Sequence, residues 1–429
     1  MLIQRATLLD GRRTDIRVGD RIGAVASALD PQPGEAVFDA DGATVIPGLH
    51  DHHLHMYAAA AALDSLRVGP DVVGDRAELA GTLAGAAPGD DGWIRAIDYH
   101  DAAAGPLDRD ALDEIAPTVP VRIQHRSGVL WMLNSAGLQR LGLSDHVDGR
   151  LRSADPSWAV DRREVPLADL SLRLARHGVT GITDATPHLD GDALLKAHRL
   201  GDVLQRVQVL APGKRILHDD SLDFGELTRW IAERHRGDVP VALHCVTAAQ
   251  LVVTIAALRG AGVHPRDRIE HAAVVPADCV ADLAELGVTV VTQPNFVAER
   301  GDQYLDEVPT AEHDELWRVA TLVRAGVPVV LSTDAPFGDG DPWASMRAAV
   351  HRRTATGEVL GARERIDGAT ALVMFTGRGE RPAVHRLIAE GEPGDLCVLA
   401  ATPARVLAEL DAELVAATIV AGEVIWQVS

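Results

Sequence analysis

The chain has 429 residues and a formal net charge of −21, which argues against a nucleic-acid backbone or an anionic membrane as partner, since both require a basic surface. Its hydrophobic content of 47% is ample for a buried core, and its length suits one large barrel or two to three ordinary domains. Cys245, Cys279 and Cys397 lie far apart with no CxxC, so neither a disulfide framework nor a thiolate zinc site is indicated, and a reducing compartment fits.

In chain order, residues 1 to about 48 carry short β-rich segments broken by Gly, Asp and Pro, from "LIQRATLLDG" to "AVFDADGATVIPG". The N-terminus lacks the long apolar stretch of a secretion signal. No run is long and apolar enough to span a bilayer, so the expected location is the cytoplasm. The middle of the chain alternates apolar strands with amphipathic helices. "PVRIQH", "VTGITDAT", "VPVALHC", "DRIEHAAVV", "VTVVTQP" and "VPVVLSTDAP" each lead into a helical pattern or a loop and helix. Such alternation predicts a parallel sheet with crossover helices. Six or more units over about 330 residues favour a closed (β/α)8 barrel over an open sheet, and no GxGxxG or P-loop is present. The last segments, "GEPGDLCVLAA" and "VAATIVAGEVIWQVS", return to strands and turns. The expectation is therefore a small β-sandwich from residues 1–48 and 385–429, flanking an α/β barrel over residues 49–384.

Polar residues gather at the predicted strand ends. "VIPGLHDHHLH" places His53 and His55 two residues apart, so both point to one face of extended backbone, with His50 and His52 on the other. His244 ends "VPVALHC", His271 ends "DRIEH" and Asp334 ends "VPVVLSTD". That end of a barrel is where such folds hold their chemistry. Any one of these histidines is as well explained by ordinary hydrogen bonding. Four imidazoles and a carboxylate at equivalent positions suit one or two divalent cations of the zinc type.

These segments resemble the amidohydrolase superfamily. "PGLHDHHLH" is similar to its PGxxDxHxH signature, and "LDRDALDEIAPTVPVRIQHRSGVLWMLNSAGL", "GVTGITDAT", "RIEHAAVV", "LGVTVVTQP", "LSTDAPFGDGDPW" and "GEPGDLCVLA" resemble blocks of its formamide-deformylase-like branch, amidohydrolase family 3. The resemblance implies a β/α barrel, a β-sandwich from the two ends, and a metal centre that activates water. By resemblance, His53 and His55 hold one metal with Asp334, and His244 and His271 hold a second. Many relatives bridge the metals with a carboxylated lysine, for which Lys214 in "VQVLAPGKRILHDDSL" is the candidate. Lys196 is the sole other lysine, and Arg215 is adjacent; a shift of one residue would place there an arginine, which cannot form a carbamate.

Two departures stand out. Val129 occupies the place of a histidine in "DGH" of the branch, and Thr247 that of a catalytic Glu in the deaminases. The implied chemistry is hydrolysis of a C–N bond (amide, N-acyl, formamide or cyclic imide) by a metal-activated water, with Asp334 taking and passing the proton. Deamination or isomerisation on the same fold, or a silent metal-binding homologue, are the alternatives. His125, Arg126 and Gln293 are the foremost substrate-binding candidates; Tyr57, His100, Trp131, Phe296 and Arg300 follow. With 3% aromatic residues, little stacking surface exists and a small polar substrate is favoured. Homo-oligomerisation is left open.

Overall fold

A computed structural model describes residues 1–116, 118–152 and 165–428. The chain forms two compact units, Met1–Met56 with Leu167–Ser429, and Tyr57–Pro166.

In the first unit the two chain ends share one eight-stranded sheet. Strand Leu396–Leu399 lies antiparallel to Thr44–Pro47, with Cys397 opposite Ile46. Alternate residues of these strands turn Ile3, Ile16, Val45, Leu396, Val398 and Ile419 into one apolar cluster.

The remaining strands of this unit are parallel. Leu49–Leu54, Val179–Asp184 and Arg206–Val209 form a three-stranded sheet. Lys214–Ile216, Ala242–Cys245, Arg268–His271, Thr289–Thr292 and Val329–Leu331 form a five-stranded one. The expected closed barrel is thus not formed: the ladders are not continuous. The reason lies in the chain between Val209 and Lys214. Four residues intervene, whereas a parallel crossover takes about a dozen or more, so the chain steps directly from one sheet to the other. At the other seam the Asp334 N–H donates to the His53 carbonyl at 2.9 Å, outside any ladder.

"PVRIQH" is a second correction. Strand Val121–His125 belongs not with these parallel strands but to the second unit. There it sits centrally in a five-stranded sheet between Ile94–Tyr99 and Leu130–Leu133. Val68, Leu79, Ile94, Tyr99, Leu112 and Ile123 are among the residues of that unit's core. Val121–His125 leads not into a helix but into the antiparallel strand Leu130–Leu133, with helix Ser135–Arg140 after it; periodicity cannot tell which sheet a strand joins.

Several helices of the first unit are capped by their own sequence. Asp223 caps Phe224–Arg236, and Asp341 caps Pro342–His351, where proline occupies the first turn. Trp343 on the latter helix is fully buried, and its indole N–H donates to the His177 carbonyl at 2.9 Å. Trp343→Ala is expected to cost about 3–5 kcal/mol of stability, read as a lower urea midpoint at unchanged m-value. The three cysteines are buried and unpaired. Among the described residues no helix is long and apolar enough to cross a membrane.

Candidate metal centre

Strand Leu49–Leu54, "LHDHHL", is wholly buried although four of its six residues are polar. Buried polar groups need partners, and the partners define the site. Asp51 accepts from the Thr333 N–H (3.2 Å), the Thr333 hydroxyl and the His53 N–H (3.2 Å). It thereby ties the HxH segment to the segment that carries Asp334. Burial pushes its carboxyl up to about 6, against the pull of those donors. His50 and His52 face away from the cluster, as their register predicts. Their rings stack at 4.6 Å, and His50 Nε2 meets the Thr183 hydroxyl at 2.9 Å.

His53, His271 and Asp334 offer ligand atoms that all lie within 4.8 Å of one another. Asp334 Oδ1 is 3.4 Å from His53 Nε2 and 3.4 Å from His55 Nε2, while Oδ2 is 3.9 Å from His271 Nδ1. His244 adjoins through its ring, 4.5 Å from that of His271. Asp334 and His271 both have left-handed backbone, φ 58° and 70°. That conformation is uncommon outside glycine and is concentrated at functional sites; here it turns two side chains inward just as their strands end.

Lys214 is buried, and burial pulls its ammonium down to about 8, opposed by the nearby Glu270 and Asp334 charges. Arg215 points elsewhere: it pairs with Glu226 at 2.7 Å and lies over the Trp230 ring at 5.2 Å. Of the two neighbours, Lys214 is the one whose side chain is buried beside this cluster. Desolvation, together with the neighbouring Lys214 ammonium, holds His53 well below its usual range and takes His244 down to about 3. His271 is lowered by burial and by the adjacent histidines. All three are neutral imidazoles, the form that binds metal.

The donor set can be tested for a cation directly. His53 Nδ1 is hydrogen-bonded to the Glu270 carboxylate, which accepts, so a neutral ring with its proton there leaves Nε2 as a lone pair. That lone pair faces Asp334 Oδ1 at 3.4 Å. Both atoms are buried with no hydrogen-bond partner, as is Lys214 Nζ. Two buried acceptors facing each other repel, and a divalent ion bound by them removes that cost. The residues fit a metal.

Other sequence candidates are placed differently. Gln293 is fully buried, with its carbonyl on His271 Nδ1 at 2.9 Å and its amide on the Ser332 hydroxyl at 2.8 Å, so its polar atoms are spent on these two side chains. His125 and Arg126 lie in the second unit. His125 Nδ1 meets the Ser127 hydroxyl at 2.8 Å, burial takes the ring down to about 4, and the Arg126 N–H donates to the Tyr99 carbonyl. Arg300 lies over Phe296, 4.2 Å from its ring centroid. Thr247 caps helix Ala248–Ala261 and donates to Asp219 at 2.8 Å, a structural duty. Sequence reading met Asp51 only as part of the PGxxDxHxH signature and passed over Thr333, Arg268 and Glu270. The one available signal was a Glu directly before a strand-end His.

The amidohydrolase family model matches residues 36–426. The chain is 24% identical over 456 residues to an N-substituted formamide deformylase of Arthrobacter pascens, covering 83% of each. An uncharacterised metal-dependent hydrolase from Pyrococcus horikoshii superposes with a TM-score of 0.72 at 20% identity, over 95% of this chain and 98% of that one. A 5-methylcytosine deaminase from Klebsiella pneumoniae superposes at 0.59 and 16% identity, over 100% and 98%. With a family model spanning most of its length, the chain belongs to the amidohydrolase family.

Proposed function

We propose that this protein is a metal-dependent hydrolase that cleaves a C–N bond of a small polar molecule, an amide, N-acyl, formamide or cyclic imide. The observation that carries this reading is the pair of unpartnered buried acceptors, His53 Nε2 and Asp334 Oδ1, facing each other at 3.4 Å. His53, His55, His244, His271, Asp334 and Lys214 would hold one or two ions, and the imidazole-rich donor set favours zinc. Such a metal polarises a carbonyl and lowers the pKa of bound water towards neutrality. The chain supplies the rest. Asp334 accepts the water's proton and returns it to the leaving nitrogen. Its backbone, tied through its N–H to the His53 carbonyl, keeps the carboxylate at the ligand cluster.

The likeness to a formamide deformylase supports a formamide or N-acyl substrate. Thr247, a helix cap where the deaminases carry a catalytic Glu, speaks against deamination. The test is elemental analysis of protein purified without chelator, with turnover on N-formyl, N-acyl and cyclic imide compounds beside aminopyrimidines. About one to two divalent ions per chain and turnover of the first group are expected. Stoichiometric absence of metal under zinc supplementation would overturn the proposal.

Lys214 would bridge two ions as a carbamate. Carbon dioxide adds to the neutral amine only, with release of one proton. An amine pulled down to about 8 by burial is mostly protonated at pH 6.5 and largely neutral at pH 9. Uptake of ¹³C-labelled carbon dioxide by the metal-free protein should therefore rise across that window, unlike a surface lysine, which titrates near 10.4. The carbamate ¹³C resonance reads it.

A further inference from the structure

His53, His55 and His271 each have the other ring nitrogen engaged, but not by equivalent partners. His55 Nδ1 meets the Thr186 hydroxyl at 3.0 Å and His271 Nδ1 meets the Gln293 carbonyl at 2.9 Å. Both partners are neutral. His53 Nδ1 alone of these three meets a carboxylate, Glu270 Oε2. Glu270 is completely buried. Arg268, two residues earlier on the same strand, grips both its oxygens, Nε on Oε1 and Nη2 on Oε2 at 3.0 Å. Arg268 Nη2 also donates to the His52 carbonyl, so the pair is pinned to the HxH strand it serves.

We infer that Glu270 is a positioning residue for the metal centre, held in place by Arg268, that fixes the His53 proton on Nδ1 and makes His53 a stronger imidazole donor than His55 or His271. The inference rests on the reading of His53 as a ligand. A purely structural Arg–Glu pair would satisfy its own charges and need not spend a carboxylate oxygen on an imidazole. Here that oxygen lies on the far side of the ring from Asp334, so the line from Glu270 through His53 ends at the unpartnered Nε2. A carboxylate behind a ligating histidine sets the tautomer and raises the ring's basicity. The neutral hydroxyl and amide behind His55 and His271 do only the first.

The first test needs no metal. A long-range ¹H–¹⁵N spectrum of metal-free, ¹⁵N-histidine-labelled protein, with His53 assigned by His53→Asn, should show its proton on Nδ1 and a bare Nε2. A proton on Nε2 in the wild type overturns the inference. The second test uses Arg268→Met/Glu270→Gln, which removes both charges together and leaves no lone buried ion, while Gln can still accept from Nδ1. Zinc affinity measured against a chromogenic chelator should fall about ten- to a hundredfold, with the metal-free unfolding midpoint reported alongside. Wild-type affinity in the folded double variant overturns the inference. Failure of the wild type itself to bind zinc would remove the proposed metal function, and the spectrum would still decide what Glu270 does to His53. The same spectrum decides the matter should the double variant not fold.

Discussion

Asp334→Asn is expected to retain at least part of the bound metal while kcat falls by roughly a hundredfold or more, the size of effect typical of a general acid–base group. The side chain keeps its shape and one oxygen, so coordination survives in part. What is lost is the second oxygen and the negative charge that accepts a proton. The two carboxylate oxygens have separate surroundings, Oδ1 near His53 and His55 and Oδ2 nearer His271, so one can stay on a cation while the other takes the proton. The measurement is kcat on any compound the wild type turns over, paired with metal analysis of the same preparation. Near-normal kcat with metal retained would reduce Asp334 to a ligand. His125, in the second unit, is a weak base at neutral pH because burial holds its ring down to about 4.

Lys214→Ala should cost more in metal than Asp334→Asn does. Loss of an outer partner of a ligand typically lowers metal affinity 10–100-fold, and removal of a bridging ligand should exceed about a hundredfold on the same scale. Stoichiometry is expected to drop towards a single ion, and the carbamate signal should vanish. Arg215→Ala, by contrast, removes an outward-facing pair with Glu226 and should leave metal content unchanged, since surface ion pairs contribute little. A Lys214→Ala protein with full metal content and wild-type turnover would exclude Lys214 from the centre. Equal losses from Arg215→Ala would mean the strand's inside and outside had been misread.

The ligand candidates were legible because their signal is local. HxH spacing on a strand, one histidine near each of two later strand ends and a carboxylate after another are short-range patterns. The family signature around them is a string of short blocks. Lys214 was legible as the candidate, but that it rather than Arg215 is the buried one of the two became visible only in the folded strand. Gln293 was legible as an important polar residue at a strand end, but not its role. Whether an amide faces a substrate or the back of His271 depends on Ser332, 39 residues away along the chain.

Chain order and periodicity by themselves determined that strands alternate with helices, that both ends are β-rich, and that imidazoles and a carboxylate collect at strand ends. Hydrophobic periodicity and side-chain alternation are properties of the local backbone, so they are written in consecutive residues. Tertiary structure alone decided that Val121–His125 joins a separate unit, that four residues between Val209 and Lys214 leave the parallel strands in two sheets, and that Glu270 and Arg268 stand behind His53. These are questions of which distant segment supplies a partner. Glu270 lies 217 residues from His53, and nothing in the residues near either one specifies the other. What brings them together is the demand that each buried polar group find a counterpart once water is excluded.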